Sequence, residues 1–300
     1  MIFSMTFLDS FTSPIWVASG TFGYAAEMDG IVDMSRLGAV IPKTVTLSPR
    51  AGNTPPRTVE TNAGMLNSIG LDNEGLSEFL LKKLPYLRTL NTNIIISIAI
   101  KDMDECPVIA EQIESANGIA AVELNVSCPN VSGGVDFATD ANLCEQIVQK
   151  MRQSITRPLI IKLSPNVGNI GEVAKGAEAG GADAISAVNT CLGLAVDWRK
   201  RKPRLGNGFG GLSGPAIKPI ALRCVRHVYK AVKIPVIGIG GIETIDDAME
   251  FFVTGASAVQ IGTANFYNPT VTTQLLNALP EALAELGAKN VSDITGTLSL

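Results

Sequence analysis

Histidine and charge are the scarcities of this 300-residue chain: one histidine, and 17% charged side chains against 46% hydrophobic ones. The lone His227 lies in Leu222-Arg-Cys-Val-Arg-His-Val-Tyr229, a helical pattern away from any strand end, and reads as structural. A general base must then come from Cys, Lys, Asp/Glu or Ser. The five cysteines are odd in number and contain no C-x-x-C pair, which argues against a zinc site or a disulfide framework and for a reducing cytosol. Cys144 and Cys224 fall in helical patterns as small core residues, Cys106 precedes Pro107 at a helix start, and Cys191 reads as a bystander. A net charge of −4 supplies no basic field for nucleic acid, so Arg199-Lys-Arg-Lys202 with Arg204 reads as a solvated loop. The N-terminus carries no basic region followed by a long apolar run, and no stretch reaches about 18 uninterrupted apolar residues. The expectation is a cytoplasmic protein without a membrane span.

What is abundant is regular. Apolar runs alternate with helical patterns from end to end, as parallel α/β folds require. The runs predict strands at Ile15–Ser19, Gly38–Lys43, Ile94–Ala99, Ala120–Val126, Leu159–Leu163, Ala184–Asn189, Pro235–Ile239 and Ser257–Ile261. Helices are expected near 29–36, 74–88, 104–116, 140–155, 170–180, 215–232, 244–254 and 273–287. Eight such units predict a (β/α)8 TIM barrel, with Met5–Pro14 as a short leading strand or hairpin at its bottom. A doubly wound sheet, the competing architecture, needs a topological switch and fewer strands. No linker divides the chain, so 1–300 is expected to be one domain. Long insertions at 44–73, 127–139 and 190–214 are expected at the carboxyl face as binding loops, the third mobile and closing over the mouth.

Barrel active sites gather at the carboxyl ends of the strands. The most informative stretch there is Ala121-Val-Glu-Leu-Asn-Val-Ser-Cys-Pro-Asn130, a buried strand that gives way to Asn125, Ser127, Cys128 and Asn130. A thiol has an ordinary pKa of about 8.5, near enough to neutrality for Cys128 to act as a base once nearby cations lower it. Lys43 and Lys162 end apolar strands, where an ammonium suits an anionic reduced flavin or a substrate carboxylate. Asn67, Asn125, Asn130 and Asn189 each offer a donor and an acceptor, which matches a flat imide-like ring. Gly238-Ile-Gly-Gly241 before a helix start, with Gly262-Thr263 after the next strand, resembles the barrel phosphate site. It does not say whose phosphate: FMN, ribose phosphates and sugar phosphates all stay open. Gly206-Asn-Gly-Phe-Gly-Gly211 follows a basic loop rather than a strand, so no nicotinamide site is read here.

Lys43-Thr44, Asn67-Ser-Ile-Gly-Leu71, Glu123-Leu-Asn-Val-Ser-Cys-Pro-Asn130, Lys162-Leu-Ser-Pro165, Asn189-Thr190, Gly211-Leu-Ser-Gly-Pro-Ala-Ile-Lys-Pro219 and Ile239-Gly-Gly241 together resemble class 1 dihydroorotate dehydrogenases. The resemblance runs from Ala18-Ser-Gly20 to Gly262-Thr263. It implies oxidation of dihydroorotate to orotate in de novo pyrimidine (UMP) biosynthesis, with Cys128 taking the C5 proton and FMN the C6 hydride. By the same resemblance Lys43, Asn67, Ser68, Ile69, Gly70, Leu71, Asn125, Asn130, Asn189 and Thr190 hold substrate. Ser19, Gly20, Lys43, Thr44, Ser97, Asn125, Lys162, Val188, Gly214, Gly240, Gly241, Gly262 and Thr263 hold one FMN per chain, and no metal is implied. Ser97 and Ile100 stand where family members often carry Asn and Gly.

Ser132-Gly-Gly-Val-Asp-Phe137 and Gly210-Gly-Leu-Ser-Gly-Pro-Ala-Ile-Lys-Pro219 are most similar to subfamily 1B. That form is a homodimer core of a heterotetramer, in which an iron–sulfur flavoprotein subunit carries FAD and a 2Fe–2S cluster and passes electrons to NAD. This chain lacks the four-cysteine spacing for a cluster, so such a partner must be separate. The competing readings are a fumarate-reducing 1A homodimer, a dihydropyrimidine dehydrogenase-like barrel, which typically has Cys-Pro-His where Asn130 stands, and a non-catalytic flavin- or phosphate-binding subunit.

Overall fold

All eight apolar runs become parallel strands, and they close on one another. The structure, a computed structural model, describes residues 7–127 and 137–299. The strands in chain order are β1 (Ile15–Val17), β2 (Ala39–Val40), β3 (Thr58–Thr61), β4 (Gly64–Asn67), β5 (Asn93–Ile98), β6 (Ala121–Asn125), β7 (Leu159–Leu163) and β8 (Ala184–Ala187). They continue with β9 (Cys191–Leu194), β10 (Val196–Asp197), β11 (Lys202–Pro203), β12 (Phe209–Ser213), β13 (Val236–Ile239) and β14 (Ala258–Ile261). The closed barrel runs β1-β14-β13-β8-β7-β6-β5-β2, every neighbour parallel.

The helices are α1 (Leu76–Glu78), α2 (Leu84–Leu87), α3 (Glu105–Ser115), α4 (Ala141–Arg152), α5 (Ile170–Ala179), α6 (Lys218–Ala231), α7 (Ile245–Thr254) and α8 (Val271–Glu285). Asp140 starts α4 by accepting from the N–H groups of Asn142 and Leu143, and Thr244 with Asp247 forms a capping box on α7. The apolar sides of these helices pack with the outward faces of the strands in one large core.

The two-residue period of the strands sorts the barrel interior into layers. The lowest is apolar, built from Trp16, Ala39, Ile95, Ala121, Ile160, Ala184, Ile237 and Ala258. Phe7, Leu8 and Phe11 cover it from below, Phe11 stacking on Trp16 at 4.8 Å. Two residues further along the strands the interior turns polar: Ser97, Glu123, Lys162, Ser186 and Gln260 are all buried. Two residues beyond those stand Asn125, Ser164, Val188 and Gly262, which face a cavity.

Four expectations differ from the structure. The described part of Met5–Pro14 caps the barrel as a 3-10 turn (Phe7–Ser10) and not as a strand, its rings seated under Trp16. The helix expected near 29–36 is replaced by two short 3-10 turns, Ala26–Met28 and Met34–Arg36, separated by Gly30 at φ +72°. The 74–88 helix is interrupted by a π-helical turn, Phe79–Lys83, just before Pro85, whose missing N–H cannot continue the ladder. The insertions at 44–73 and 190–214 pair with each other in a second, antiparallel sheet ordered β3-β4-β12-β9. The third insertion is thus tied down by strand pairing at both ends. Its middle, the basic run 199–204, is mostly exposed, with the Arg199 guanidinium 4.3 Å from the Trp198 ring centroid.

Candidate functional site

A cavity of about 690 Å³ opens at the carboxyl ends of the barrel strands. That is within the ordinary range for a cofactor or ligand pocket. Its floor is set by the two lysines. Lys162, next to last in β7, has its ammonium buried, 3.5 Å from Oε1 of the fully buried Glu123 on β6. Lys43 follows β2 and lies against Gly20, and burial pushes its ammonium pKa down, with the Asp72 carboxylate opposing in part. Two cations beside a largely apolar cavity make a floor that favours an electron-rich ligand.

The amides stand above them. Asn189 Nδ2 donates to Asn125 Oδ1 at 3.2 Å, and the same oxygen accepts from the Ser127 N–H at 3.1 Å. Asn125 therefore has its acceptor committed and its Nδ2 free of any protein partner among the described contacts. Asn189 Oδ1 accepts from the Thr190 N–H at 2.8 Å, which fixes the turn that leads into β9. Asn166 braces this turn from outside, donating to the Thr190 carbonyl at 3.0 Å and accepting from the Leu192 N–H at 2.9 Å.

One wall comes from the second sheet and the loop after β4. Asn67 ends β4 opposite Gly211 on β12. The Ser68–Leu71 segment is shaped by Asn53, whose N–H donates to the Ile69 carbonyl at 3.0 Å and whose Nδ2 donates to the Ser68 carbonyl at 3.1 Å. Gly70, at φ +75°, lies so close to Asn53 that an added Cβ would fall 2.6 Å from its backbone nitrogen. Buried Asn73 holds the far end, accepting from the Thr46 and Gly75 N–H groups and donating to the Leu71 carbonyl. Leu192 and Phe209, both exposed, line the rim, with exposed Leu194, Val196 and Trp198 close by in the chain.

The opposite end is backbone. Gly240 and Gly241 follow β13 at φ +132° and +76°, and Gly262 and Thr263 follow β14. A Cβ on Gly241 would meet the Gly214 carbonyl at 2.8 Å, so only glycine lets these segments converge. Thr263 Oγ1 donates to Ser213 Oγ at 2.8 Å, joining this end to β12. Glu243 lines the cavity beside it and bonds Tyr267, and burial followed by the Asp247 charge pushes its pKa up.

With that geometry in view, the comparisons are decisive. The profile of the dihydroorotate dehydrogenase family matches residues 3–283. The chain belongs to the dihydroorotate dehydrogenase family. It is 47% identical over 289 residues to the "Dihydroorotate dehydrogenase B (NAD(+)), catalytic subunit" of Desulforamulus reducens, covering 96% of this chain and 95% of that one. The proteins of the same name from Geotalea uraniireducens (48% over 287 residues, 95% and 94% covered) and Geobacter sulfurreducens (47% over 289, 96% and 95% covered) are similar to it.

Of the residues that the sequence assigned to the site of such a dehydrogenase, most meet at this cavity. Lys43, Asn67, Ser68, Ile69, Gly70, Leu71, Asn125, Asn189 and Thr190 line it, as do Ser19, Gly20, Thr44, Lys162, Val188, Gly214, Gly240, Gly241, Gly262 and Thr263. Cys128 and Asn130 lie outside the described residues. Ser97 is fully buried in the polar layer and does not line the cavity; its hydroxyl shares a 2.9 Å hydrogen bond with Thr44 Oγ1. Its reach to a ligand is through Thr44.

Sequence reasoning passed over Asn53, Ser164, Asn166, Ser213 and Glu243. Ser164 and Asn166 carried a readable signal, being polar residues just after the strand that carries Lys162. Asn53 and Ser213 carried none, because they reach the cavity only through the second sheet and its loops. Among the described residues, no cluster of three or more His, Cys, Asp or Glu is placed to hold a metal, and no helix is long and apolar enough to cross a membrane.

Proposed function

We propose that residues 1–300 act as one FMN-binding barrel domain that oxidises dihydroorotate to orotate. The observation that carries this reading is the convergence of buried Lys162 and half-buried Lys43, three asparagine amides and a glycine-lined backbone cradle on one cavity, in a chain of this family. The fit to FMN rests on three features of the structure. The phosphate end is lined by Gly214, Gly240, Gly241 and Gly262, where an added Cβ at Gly241 or Gly214 would strike neighbouring backbone. The floor holds Lys162 with no acceptor for its N–H groups among the described residues beyond the carboxylate at 3.5 Å. Ser19, Gly20 and Val188 line the cavity as well. FMN, when bound, serves as the two-electron acceptor for the C6 hydride.

The chain's own residues do the rest. Asn67, Asn125 and Asn189 hold the imide-like edge of the ring, Asn125 with its Nδ2 free to donate and Asn189 oriented by its bonds to Asn125 and Thr190, and Asn130 is assigned to the same task. Lys43 faces the substrate carboxylate, and an anion there offsets the cost of its own buried charge. Cys128 is assigned as the base that would take the C5 proton, while the C6 hydrogen would leave as hydride. Thr190, Ser68, Ile69, Gly70 and Leu71 close the sides and exclude water.

Electrons then leave through a separate iron–sulfur flavoprotein subunit, carrying FAD and a 2Fe–2S cluster, to NAD. The relatives at 47–48% identity carry "NAD(+)" and "catalytic subunit" in their names, which supports a further subunit here. The proposed assembly is a cytoplasmic heterotetramer around a homodimer of this chain.

The test is a visible spectrum of the purified chain followed by anaerobic dihydroorotate. A flavin spectrum that bleaches on addition is expected. A protein that binds no FMN, even when supplied with it, would overturn the flavoenzyme reading. Bound FMN that uracil derivatives turn over and dihydroorotate does not would move the substrate to the dihydropyrimidines.

A further inference from the structure

One layer below the cavity floor, a carboxylate is held away from the lysine it compensates. Glu123 is fully buried on β6, and its two oxygens are treated differently. Oε2 accepts from Ser186 Oγ at 3.0 Å and from Gln260 Nε2 at 2.7 Å, donors carried by β8 and β14. Oε1 faces the Lys162 ammonium at 3.5 Å, has no hydrogen bond, and is fully buried. An unrestrained Lys–carboxylate pair closes to about 2.7–2.9 Å. Here it does not. Neither Glu123, Ser186 nor Gln260 lines the cavity, whereas Lys162 does.

We propose that Glu123 is a positioning residue for Lys162, restrained by Ser186 and Gln260. The pair then balances charge while the lysine keeps its N–H groups for the ligand above it. The inference rests on the flavin reading of the cavity and deepens it. A buried ammonium with no counter-charge would be costly to fold. A fully engaged one would have its strongest hydrogen bond directed downward, away from the cavity. The 3.5 Å gap lies between these, and the other oxygen of the carboxylate is anchored by two donors, Ser186 and Gln260. The sheet makes the arrangement rigid. Glu123 pairs with Ile160 and Asn125 with Lys162, so Glu123 and Lys162 are two residues out of step and share the inward face, and Ser186 is directly opposite Lys162 on β8.

The proposal makes a prediction in which two substitutions in the same network act in opposite directions. Glu123→Gln keeps the shape and an acceptor but removes the negative charge beside Lys162. The field on the ring becomes more positive, and the flavin midpoint potential shifts to more positive values. Ser186→Ala leaves the charge but releases one of the two restraints. The carboxylate then closes on Lys162, the ammonium is drawn down, and the potential shifts to more negative values.

Both are measured on the FMN-loaded chain by anaerobic dye-coupled titration, alongside the FMN dissociation constant and the melting temperature of the apoprotein. Wild-type protein that binds FMN and is bleached by dihydroorotate establishes the underlying reading independently of either variant. Opposite shifts support the restraint. Unchanged potentials in both variants, with only lowered melting temperatures, would reduce the network to a packing role and overturn the proposal. Shifts of the same sign would overturn it as well. If Glu123→Gln does not fold, Ser186→Ala decides alone, since it loses a single oxygen and its negative shift has no packing explanation.

Discussion

Lys43 shows how a single site residue trades stability for binding. Its pKa is lowered by burial, so the folded chain holds this proton less tightly than the unfolded chain does. In the window just below the ordinary lysine value of about 10.4, the unfolded state binds more protons, and stability rises with pH there. Below that window the buried charge is a standing cost. Lys43→Met is therefore expected to raise the melting temperature of the apoprotein while weakening orotate binding about tenfold to a hundredfold, or about 1.4–2.8 kcal/mol. In the wild type, orotate affinity should fall as pH rises through the lowered pKa, because the cation facing the carboxylate is lost. Titrating the flavin spectrum with orotate from about pH 7 to about pH 10 reads this directly. A pH dependence that is the same in the wild type and in Lys43→Met would remove Lys43 from the carboxylate. Cys128 gives the complementary prediction on the proton. Cys128→Ala should slow single-turnover flavin reduction by dihydroorotate by about 10²–10⁴ while leaving orotate binding nearly intact. An undiminished rate in that variant would assign the base elsewhere.

At the scale of elements, the barrel was legible and the second sheet was not. The eight parallel strands announce themselves because both faces are buried, so each reads as a continuous apolar run such as Leu159–Leu163. Residues at or just past the carboxyl ends of several of these runs reach the cavity, as Lys43, Asn189 and Gly262 do. The strands Thr58–Thr61 and Phe209–Ser213 have one face outside the core and carry glycine and threonine in short segments, so they lack that signature. The pairing that joins the two insertions links residues more than 140 apart, as in Gly211 opposite Asn67, and no local pattern encodes it. Ser97 differs for a related reason: its strand position is as expected, but the two-residue period places it one layer below the cavity, on Thr44.

Two element-scale predictions follow from the same geometry. Gly241→Ala forces a Cβ to within 2.8 Å of the Gly214 carbonyl at a positive φ, so the backbone cradle must spread. FMN affinity should fall by at least tenfold, read by fluorescence of released flavin, with the fold retained by circular dichroism. Asn73→Ala leaves the buried Thr46 and Gly75 N–H groups without their acceptor and frees the Leu71 carbonyl. It should cost about 2–4 kcal/mol in denaturant unfolding and loosen substrate binding more than FMN binding. Equal losses for both ligands would mean that Asn73 stabilises the barrel generally and not the Ser68–Leu71 wall.

For the whole molecule, the question is where the electrons go once the flavin is reduced. The glycine-rich Gly206–Gly211 stretch does not form a strand-to-helix phosphate turn; Phe209–Ser213 is itself a strand, paired on both sides with β4 and β9. A dinucleotide has no helix N-terminus to rest on at that place. Nor do the described cysteines offer a cluster: Cys106, Cys144 and Cys224 are buried in separate helices, and Cys191 is in β9. The isolated chain, reduced by dihydroorotate under anaerobic conditions, should therefore stay bleached when NAD is added. Adding an iron–sulfur flavoprotein subunit of the kind that carries FAD and a 2Fe–2S cluster should restore the flavin spectrum and release NADH in step with orotate. Rapid reoxidation by NAD without that subunit would overturn the assignment of the acceptor site to a partner. Reoxidation by fumarate at the rate of turnover would instead place the chain with the self-sufficient homodimers, since a small dicarboxylate can enter the same cavity after orotate leaves and meet the same Lys43.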